Sequence, residues 1–187
     1  MGLQRKMIED KEFLTKKQKS LIETDILGRT FPFYYSSSAL PEDNIGYMSH
    51  IVLKRPEKRN TNDNGINSDY YEFFKSILLT FCEKHKISIN EILRINVNLT
   101  FPIGIKSGGV HIDHDFEHKQ LILYLTNNSE SCTHILDDDK KTIIKSVIPE
   151  KYKAVCFGTK YHYADMPKNK IRIVVVYTFT EKENGSK

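Results

Sequence analysis

The sequence predicts an α+β protein that is mainly β, a double-sheet core of jelly-roll type with N-terminal helices packed on one sheet. Three observations predict it. From residue 94 to 180, short runs of β-branched, aliphatic and aromatic residues alternate with turn-forming residues, and no helical period intervenes. Before about residue 92, the apolar residues recur mostly at helical spacing. The chain has 187 residues, enough for one sizeable core and short for two. Successive strands without helical crossovers are the pattern of a sandwich or jelly roll, since parallel sheets need those crossovers. A single domain over 1–187 is expected, with 1–92 as helical support, 94–180 as the core and 181–187 as a disordered tail.

The elements follow in chain order. FLTKKQKSLIETDIL (13–27) places Leu14, Leu21, Ile22 and Ile26 on one helical face, with Thr15 as N-cap. FPFYY (31–35) reads as extended. RPEKRNTNDNGINSD (55–69) is polar and holds the turn pair Asn64-Gly65, so it reads as a loop. SDYYEFFKSILLTFCEKHK (68–86) carries Tyr70, Phe74, Ile77, Leu78 and Phe81 at helical spacing, capped by Ser68 or Asp69. Ser88 and Glu91 in SINEILR stand at capping-box spacing and predict one or two more helical turns. Strands are then expected near 94–101, 110–115, 119–126, 132–136, 141–148, 153–158, 161–164 and 171–180. Turns are expected at 106–109, 127–128, 137–139 and 166–167.

Bulk properties exclude several classes. Charged residues make up 28% and hydrophobic residues 39%, as in a globular domain. The net charge of +4 comes from scattered lysines and does not by itself point to nucleic acid. No apolar run reaches membrane-spanning length, and the N-terminus lacks the apolar segment of a secretory signal. Met-Gly begins the chain, but Lys6 stands where myristoylation takes Ser or Thr. Cys82, Cys132 and Cys156 are odd in number and have no CxxC spacing. A disulfide framework, a zinc finger and an iron–sulfur cluster are therefore unexpected, and a reduced, cytoplasmic setting is expected.

The densest run of ligand-type side chains is HIDHDFEH (111–118). On a strand, His111 and Asp113 point to one face and can serve one metal. His162 lies downstream in FGTKYHYADMP, and Arg172 follows ten residues later in KIRIVVVYTF. Ile171, Ile173 and Val175 occupy the face opposite Arg172, and a cation in so apolar a strand needs an anion, either a structural acid or a ligand. Two histidines and one carboxylate on one face leave opposite coordination sites open, which suits non-haem Fe(II). His114 and His118 read as supporting or surface residues, and Asp115 as solvated. Asp137, Asp138 and Asp139 read as a charged turn. His50, His85 and His134 have no partners at ligand spacing. The aromatic residues of 68–86 read as core, and Lys106-Ser107-Gly108-Gly109 as a flexible lip.

This order of H-x-D, a YLN-like strand, a distal His and an Arg resembles the 2-oxoglutarate and Fe(II)-dependent oxygenases. The likeness is to their prolyl-4-hydroxylase-like branch, especially its small phage-encoded members. It rests on HIDHDFEHKQLILYLTNN (111–128) and IPEKYKAVCFGTKYHYADMPKNKIRIVVVYTF (148–179), with FLTKKQKSLIE and INSDYYEFFKSILLTF in the N-terminal half. The resemblance implies a double-stranded β-helix, with His111, Asp113 and His162 as Fe(II) ligands. It implies Arg172 as partner of the 2-oxoglutarate C5 carboxylate, Tyr124 as its support, and Asn98 as a further member of that pocket. It implies oxidation of 2-oxoglutarate by O2 to succinate and CO2, with hydroxylation of a C–H bond, and ascorbate as reductant in vitro. A peptidyl prolyl residue is the substrate the branch implies; nucleic-acid bases and small molecules stay open. A phage origin would place the protein in the host cytoplasm. One departure stands out: the family's D-G-x-T turn is replaced by TNNSESCT, in which only Thr133 keeps the end of the pattern. Two rivals remain, a catalytically silent binding module and a zinc-dependent hydrolase, though no HExxH is present. The loops 55–69 and 104–109 are the expected substrate lids.

Overall fold

The structure, a computed structural model, describes residues 7–37, 45–59 and 63–182. Its strands are β1 (Ile8–Asp10), β2 (Tyr34–Ser36), β3 (Tyr47–Leu53), β4 (Ile89–Thr100), β5 (Lys119–Tyr124), β6 (Thr133–Leu136), β7 (Ile143–Val147), β8 (Ala154–Gly158), β9 (His162–Ala164) and β10 (Arg172–Glu181). Its helices are α1 (Lys16–Leu21), continued as a π-turn over Ile22–Ile26, and α2 (Tyr71–Lys84). The strands form a seven-stranded sheet, β1-β8-β5-β10-β4-β3-β2, facing a three-stranded sheet, β7-β6-β9. The described strand pairs are antiparallel.

β10 lies at the centre of the large sheet and shows why it has two different faces. Ile173, Val175, Tyr177 and Phe179 point outward into one apolar core. There they meet Ile95 and Val97 of β4, Leu121 and Leu123 of β5, and Phe74, Ile77, Leu78 and Phe81 of α2. Val174 and Val176 point inward, between the sheets, with Ile122, Tyr124, Ile135, Val147, Val155 and Phe157. The strand period of two therefore sends alternate residues to a helix-covered core and to the inter-sheet space. Complete burial stabilises each large apolar side chain by about 1.5–3 kcal/mol, so the outer core carries most of the fold.

The helices form as their local chemistry dictates. Thr15 caps α1: its hydroxyl accepts from the Gln18 amide at 3.1 Å, and Gln18 Oε1 accepts from the Thr15 amide at 3.0 Å. Gln18 Nε2 also donates to Ser76 and Thr80, tying α1 to α2. The N-cap of α2 is Tyr70 rather than Ser68 or Asp69; Ser68 acts two positions before it, its hydroxyl accepting from the Tyr70 amide at 3.1 Å.

Several sequence expectations are corrected. The segment 88–94 is not helical; it begins β4. The long β10 requires a partner along its whole length, and Ile89, Glu91 and Ile92 pair with Glu181, Thr180 and Phe179. That pairing overrides the capping-box spacing. Lys86, at φ 55°, makes the turn out of α2. The N-terminal region is not only helical, because β1, β2 and β3 join the large sheet from it. The run 110–115 is not a strand; it contributes a single bridge, His111 to His162. The 55–69 loop holds a 3-10 turn over Pro56–Lys58 and a bridge from Leu53 to Ile66, with residues 60–62 outside the described ones. Glu181 belongs to β10 rather than to the tail, and 183–187 lie outside the described residues. No described helix is long and apolar enough to cross a membrane.

Candidate active site

The space between the sheets opens into a cavity of about 570 Å³. Period-two alternation supplies its walls. β4 contributes Arg94, Asn96 and Asn98, β5 contributes Gln120 and Ile122, and β10 contributes Arg172, Val174 and Val176.

His111, Asp113 and His162 meet in this cavity, each offering a ligand atom within 4.8 Å of the others. A two-way backbone bridge brings the histidines together: the His111 amide donates to the His162 carbonyl at 3.0 Å, and the His162 amide to the His111 carbonyl at 2.9 Å. His111 and Asp113 thus converge through a bridge and a bend, not through one strand face. His111 Nδ1 donates to the Gly109 carbonyl at 3.0 Å, and His162 Nδ1 to the Lys160 carbonyl at 3.1 Å. A carbonyl can only accept, so each Nδ1 carries a proton, the tautomer in which Nε2 is the atom left for a ligand.

Asp113 is fixed from the other side. Its Oδ1 accepts from Arg55 Nη2 at 2.7 Å and from Arg94 Nη1 at 2.8 Å, and its carbonyl accepts from Arg55 Nη1 at 2.7 Å. Oδ2 lies 3.8 Å from His162 Nε2. Burial would raise the Asp113 pKa, but the charges of Arg94, His162, Arg55 and His111 outweigh it and hold the carboxyl well below the usual range. Burial first, and then His111, push the His162 pKa down to about 4. The centre therefore brings two imidazoles and one carboxylate together, with His162 neutral and Asp113 ionised at neutral pH. This donor set fits a divalent transition metal such as Fe(II). Gln120, 1% exposed, donates its amide to His162 Nε2 at 3.1 Å, on the ring nitrogen that would face the metal.

Arg172 sits elsewhere in the cavity, also buried. Its Nη2 donates to Thr133 Oγ1 at 2.9 Å, and the same oxygen accepts from the Tyr124 hydroxyl at 2.8 Å. The guanidinium carbon lies 5.7 Å from the Tyr124 ring centre. Arg172 Nε is buried with no hydrogen-bond partner, and no described carboxylate pairs with this cation. Burial pulls its pKa down. A buried guanidinium without a counter-charge is costly unless a ligand supplies one, so the site fits an anion such as a carboxylate. Asn98 lines the same cavity, its Oδ1 accepting from Asn96 Nδ2.

All six residues singled out in the sequence thus face one cavity or, for Tyr124, bond to its wall at Thr133. Tyr124 reaches Arg172 through Thr133, which lines the cavity itself. Arg55, Arg94 and Gln120 also stand at the site, beyond the residues expected from the sequence. For Arg94 and Gln120 a signal existed, since alternation puts Arg94 beside Asn96 and Asn98, and Gln120 beside Ile122 and Tyr124. Arg55, in a loop, had none. His114 and His118 are buried but lie outside the ligand group, His114 bonding to Thr178 at 2.8 Å and His118 to the Phe116 carbonyl. His50, His85 and His134 each have hydrogen-bond partners, none of them in a metal-ligand group. Asp115 is exposed, and Asp139 closes a turn on Lys141 and Thr142. The 106–109 lip is tied down where the Gly108 amide donates to the Ala164 carbonyl at 2.9 Å.

No protein-family model and no curated protein matches the chain. Solved structures do. A Burkholderia pseudomallei oxidoreductase of the 2OG-Fe(II) oxygenase family aligns over 93% of this chain and 84% of its own, with TM-score 0.70 and 12% identity. A Trichoplax adhaerens prolyl hydroxylase, solved with a hypoxia inducible factor oxygen degradation domain peptide fragment, aligns over 94% and 83%, with TM-score 0.63 and 12% identity. The viral collagen prolyl hydroxylase of Paramecium Bursaria Chlorella virus-1, solved with 2OG, aligns over 97% and 100%, with TM-score 0.55 and 15% identity. The chain therefore has the jelly-roll fold of the solved 2OG-Fe(II) oxygenases and prolyl hydroxylases.

Proposed function

We propose that the protein is a 2-oxoglutarate- and Fe(II)-dependent dioxygenase that hydroxylates a C–H bond of a peptidyl substrate, a prolyl residue being the first to test. One observation carries the reading: a His-Asp-His group and a buried arginine lacking an acidic partner share one cavity. The fold likeness to oxygenases supports it, and the peptide bound in the Trichoplax structure supports the substrate class.

In this reading His111, Asp113 and His162 hold Fe(II), and Arg172 with Thr133 and Tyr124 receives the distal carboxylate of 2-oxoglutarate. Bound there, the iron supplies the oxidation of 2-oxoglutarate by O2 to succinate and CO2 that is coupled to oxygen insertion into the substrate. The protein's residues position and exclude. The Gly109 and Lys160 carbonyls hold the imidazole tautomers, and Arg55 and Arg94 keep Asp113 ionised and turned inward. Val174, Val176 and Ile122 line the cavity and limit water. Ile122 pairs with Val176 across β5 and β10, the strands that also carry Gln120 and Arg172, so the apolar wall and the polar groups share one hydrogen-bonded frame.

The test is succinate formation. Protein supplied with Fe(II), ascorbate, O2 and 2-oxoglutarate should produce succinate, and a His111→Ala variant should not. Anaerobic binding of Fe(II) and 2-oxoglutarate is measured in the same samples. Wild-type protein that bound neither would overturn the proposal.

A further inference from the structure

The cavity carries more positive charge than its metal and co-substrate roles use. Its lining includes the cations Lys54, Arg55, Lys58, Arg94 and Arg172, against the acids Glu57 and Asp113. Arg172 belongs to the co-substrate carboxylate. Buried Arg94 already contacts Asp113 Oδ1 at 2.8 Å. Arg55 brings a second guanidinium to that same oxygen at 2.7 Å. One carboxylate cannot neutralise two guanidinium charges, so a cationic excess remains at the end of the cavity where Arg55 stands.

Arg55 differs from Arg94 in place. Its side chain is 29% exposed, against 14% for Arg94, so it reaches from Asp113 towards solvent. Two of its five N–H groups are used on Asp113; the others have no hydrogen-bond acceptor among the described residues. Lys58 lines the cavity three residues on and has no ion-pair partner among the described residues. Lys54 is taken by Asp63 at 2.8 Å, and Glu57 lies 3.9 Å from Arg55 with a half-exposed side chain. The Pro56–Lys58 turn holds Arg55 and Lys58 on one short segment. Arg59 anchors that segment, its Nε donating to the Lys54 carbonyl at 3.0 Å. The positive groups are thus placed in advance rather than scattered on a flexible loop.

We infer that the substrate of this cavity is an acidic peptide, one of whose side-chain carboxylates is received by Arg55 and Lys58 at the mouth. The inference rests on the oxygenase reading above. A peptide fits better than a nucleic acid for two reasons. β2 ends the order of the large sheet, and its Ser36 lines the cavity, so an extended chain following that edge is led into the mouth. Among the described residues the cavity lining holds no Phe or Trp and only two Tyr, Tyr47 and Tyr163, whereas single-stranded bases stack on such rings.

The experiment uses full-length protein and three labelled peptides of one length that differ only in having Glu, Gln or Lys at alternate positions. A matched oligothymidylate is the fourth probe. Binding is read by fluorescence anisotropy with and without Mn(II) and 2-oxoglutarate, whose own binding is read separately by electron paramagnetic resonance of free Mn(II). The Glu peptide should bind about tenfold more tightly than the Gln peptide, the Lys peptide more weakly still, and the preference should shrink as salt is added. Lys58→Glu should remove most of the preference; Arg55→Gln should do so too, and Lys58→Glu serves alone if Arg55→Gln unfolds. Equal binding of the Glu and Gln peptides, a preference untouched by Lys58→Glu, or tighter binding of the oligothymidylate would each overturn the inference. Absence of Mn(II) and 2-oxoglutarate binding would sink the oxygenase reading and this inference with it. Their binding without any charge preference would sink the inference alone.

Discussion

The cavity has two polar regions, and they are built in opposite ways. At the His-Asp-His group every side chain is held: two ring nitrogens by backbone carbonyls, and the carboxylate by two arginines. At Arg172 the cation is left short, with one bond to Thr133 and a buried Nε that bonds to nothing. In the first region each side chain has its hydrogen-bond partner within the protein, although two arginines share the one carboxylate. The second has no described acid to balance it, the condition that a bound anion would meet in the proposed function. Partnered groups therefore mark the part of the site that shapes itself, and the unpartnered cation marks the part that the proposed function gives to a ligand.

Four changes test this contrast, in descending order of effect. Asp113→Ala leaves Arg55 and buried Arg94 facing each other without their carboxylate. It should cost about 3–5 kcal/mol, read from urea unfolding of metal-free protein. A loss below about 1 kcal/mol would show that the arginines do not depend on Asp113.

The second change is acid. The folded-state pKa of His162 is about 4, below the ~6.5 of an unfolded histidine, so on acidification the unfolded chain takes up a proton that the folded chain refuses. Asp113, held low in the fold, acts in the same direction as pH falls through the carboxylate range. Metal-free protein should lose stability from about pH 6.5 down to pH 4, on the order of 3 kcal/mol for His162. His162→Asn should flatten that limb, and an unchanged slope in the variant would refute the assignment.

Arg172→Met probes the other region. It should weaken 2-oxoglutarate binding about 100-fold in calorimetry, yet leave ligand-free stability unchanged or slightly higher, because it removes a buried cation with no counter-charge. A large loss of ligand-free stability would mean that Arg172 is structural. Gln120→Leu should have the smallest effect. Its amide occupies His162 Nε2 only while no metal does, and a metal would leave that N–H in need of an acceptor on another bound group. About tenfold weaker 2-oxoglutarate binding to Mn(II)-loaded protein is expected, with a changed electron paramagnetic resonance spectrum; Gln120→Asn should rescue part of both.

Much of this was legible in the sequence, and the misses have particular causes. Arg172 was visible because it breaks an apolar strand, and its inward face followed from alternation with Ile173 and Val175. The α1 cap at Thr15 and the apolar face of α2 were legible because helix chemistry is local. Ser88 and Glu91 misled because their spacing matched a helix start while β10 demanded a strand there. β3 passed unread because Tyr47–Leu53 is short and buries residues on both sides, so neither period stands out. Arg55 lies in a loop, where no period exists to say where a side chain points.

By itself the sequence determined faces and chemical types. Side-chain periodicity is a local property of the backbone, so it sorted apolar from polar and put Arg94, Asn98, Gln120 and Arg172 on the inward sides of their strands. The tertiary structure alone decided meetings. His111 joins His162 through backbone bonds between distant segments, and Asp113 is shared by arginines from a loop and from β4. Such meetings depend on which strands pair and in what register, and that is settled by burial summed over the whole chain rather than by any short stretch of it.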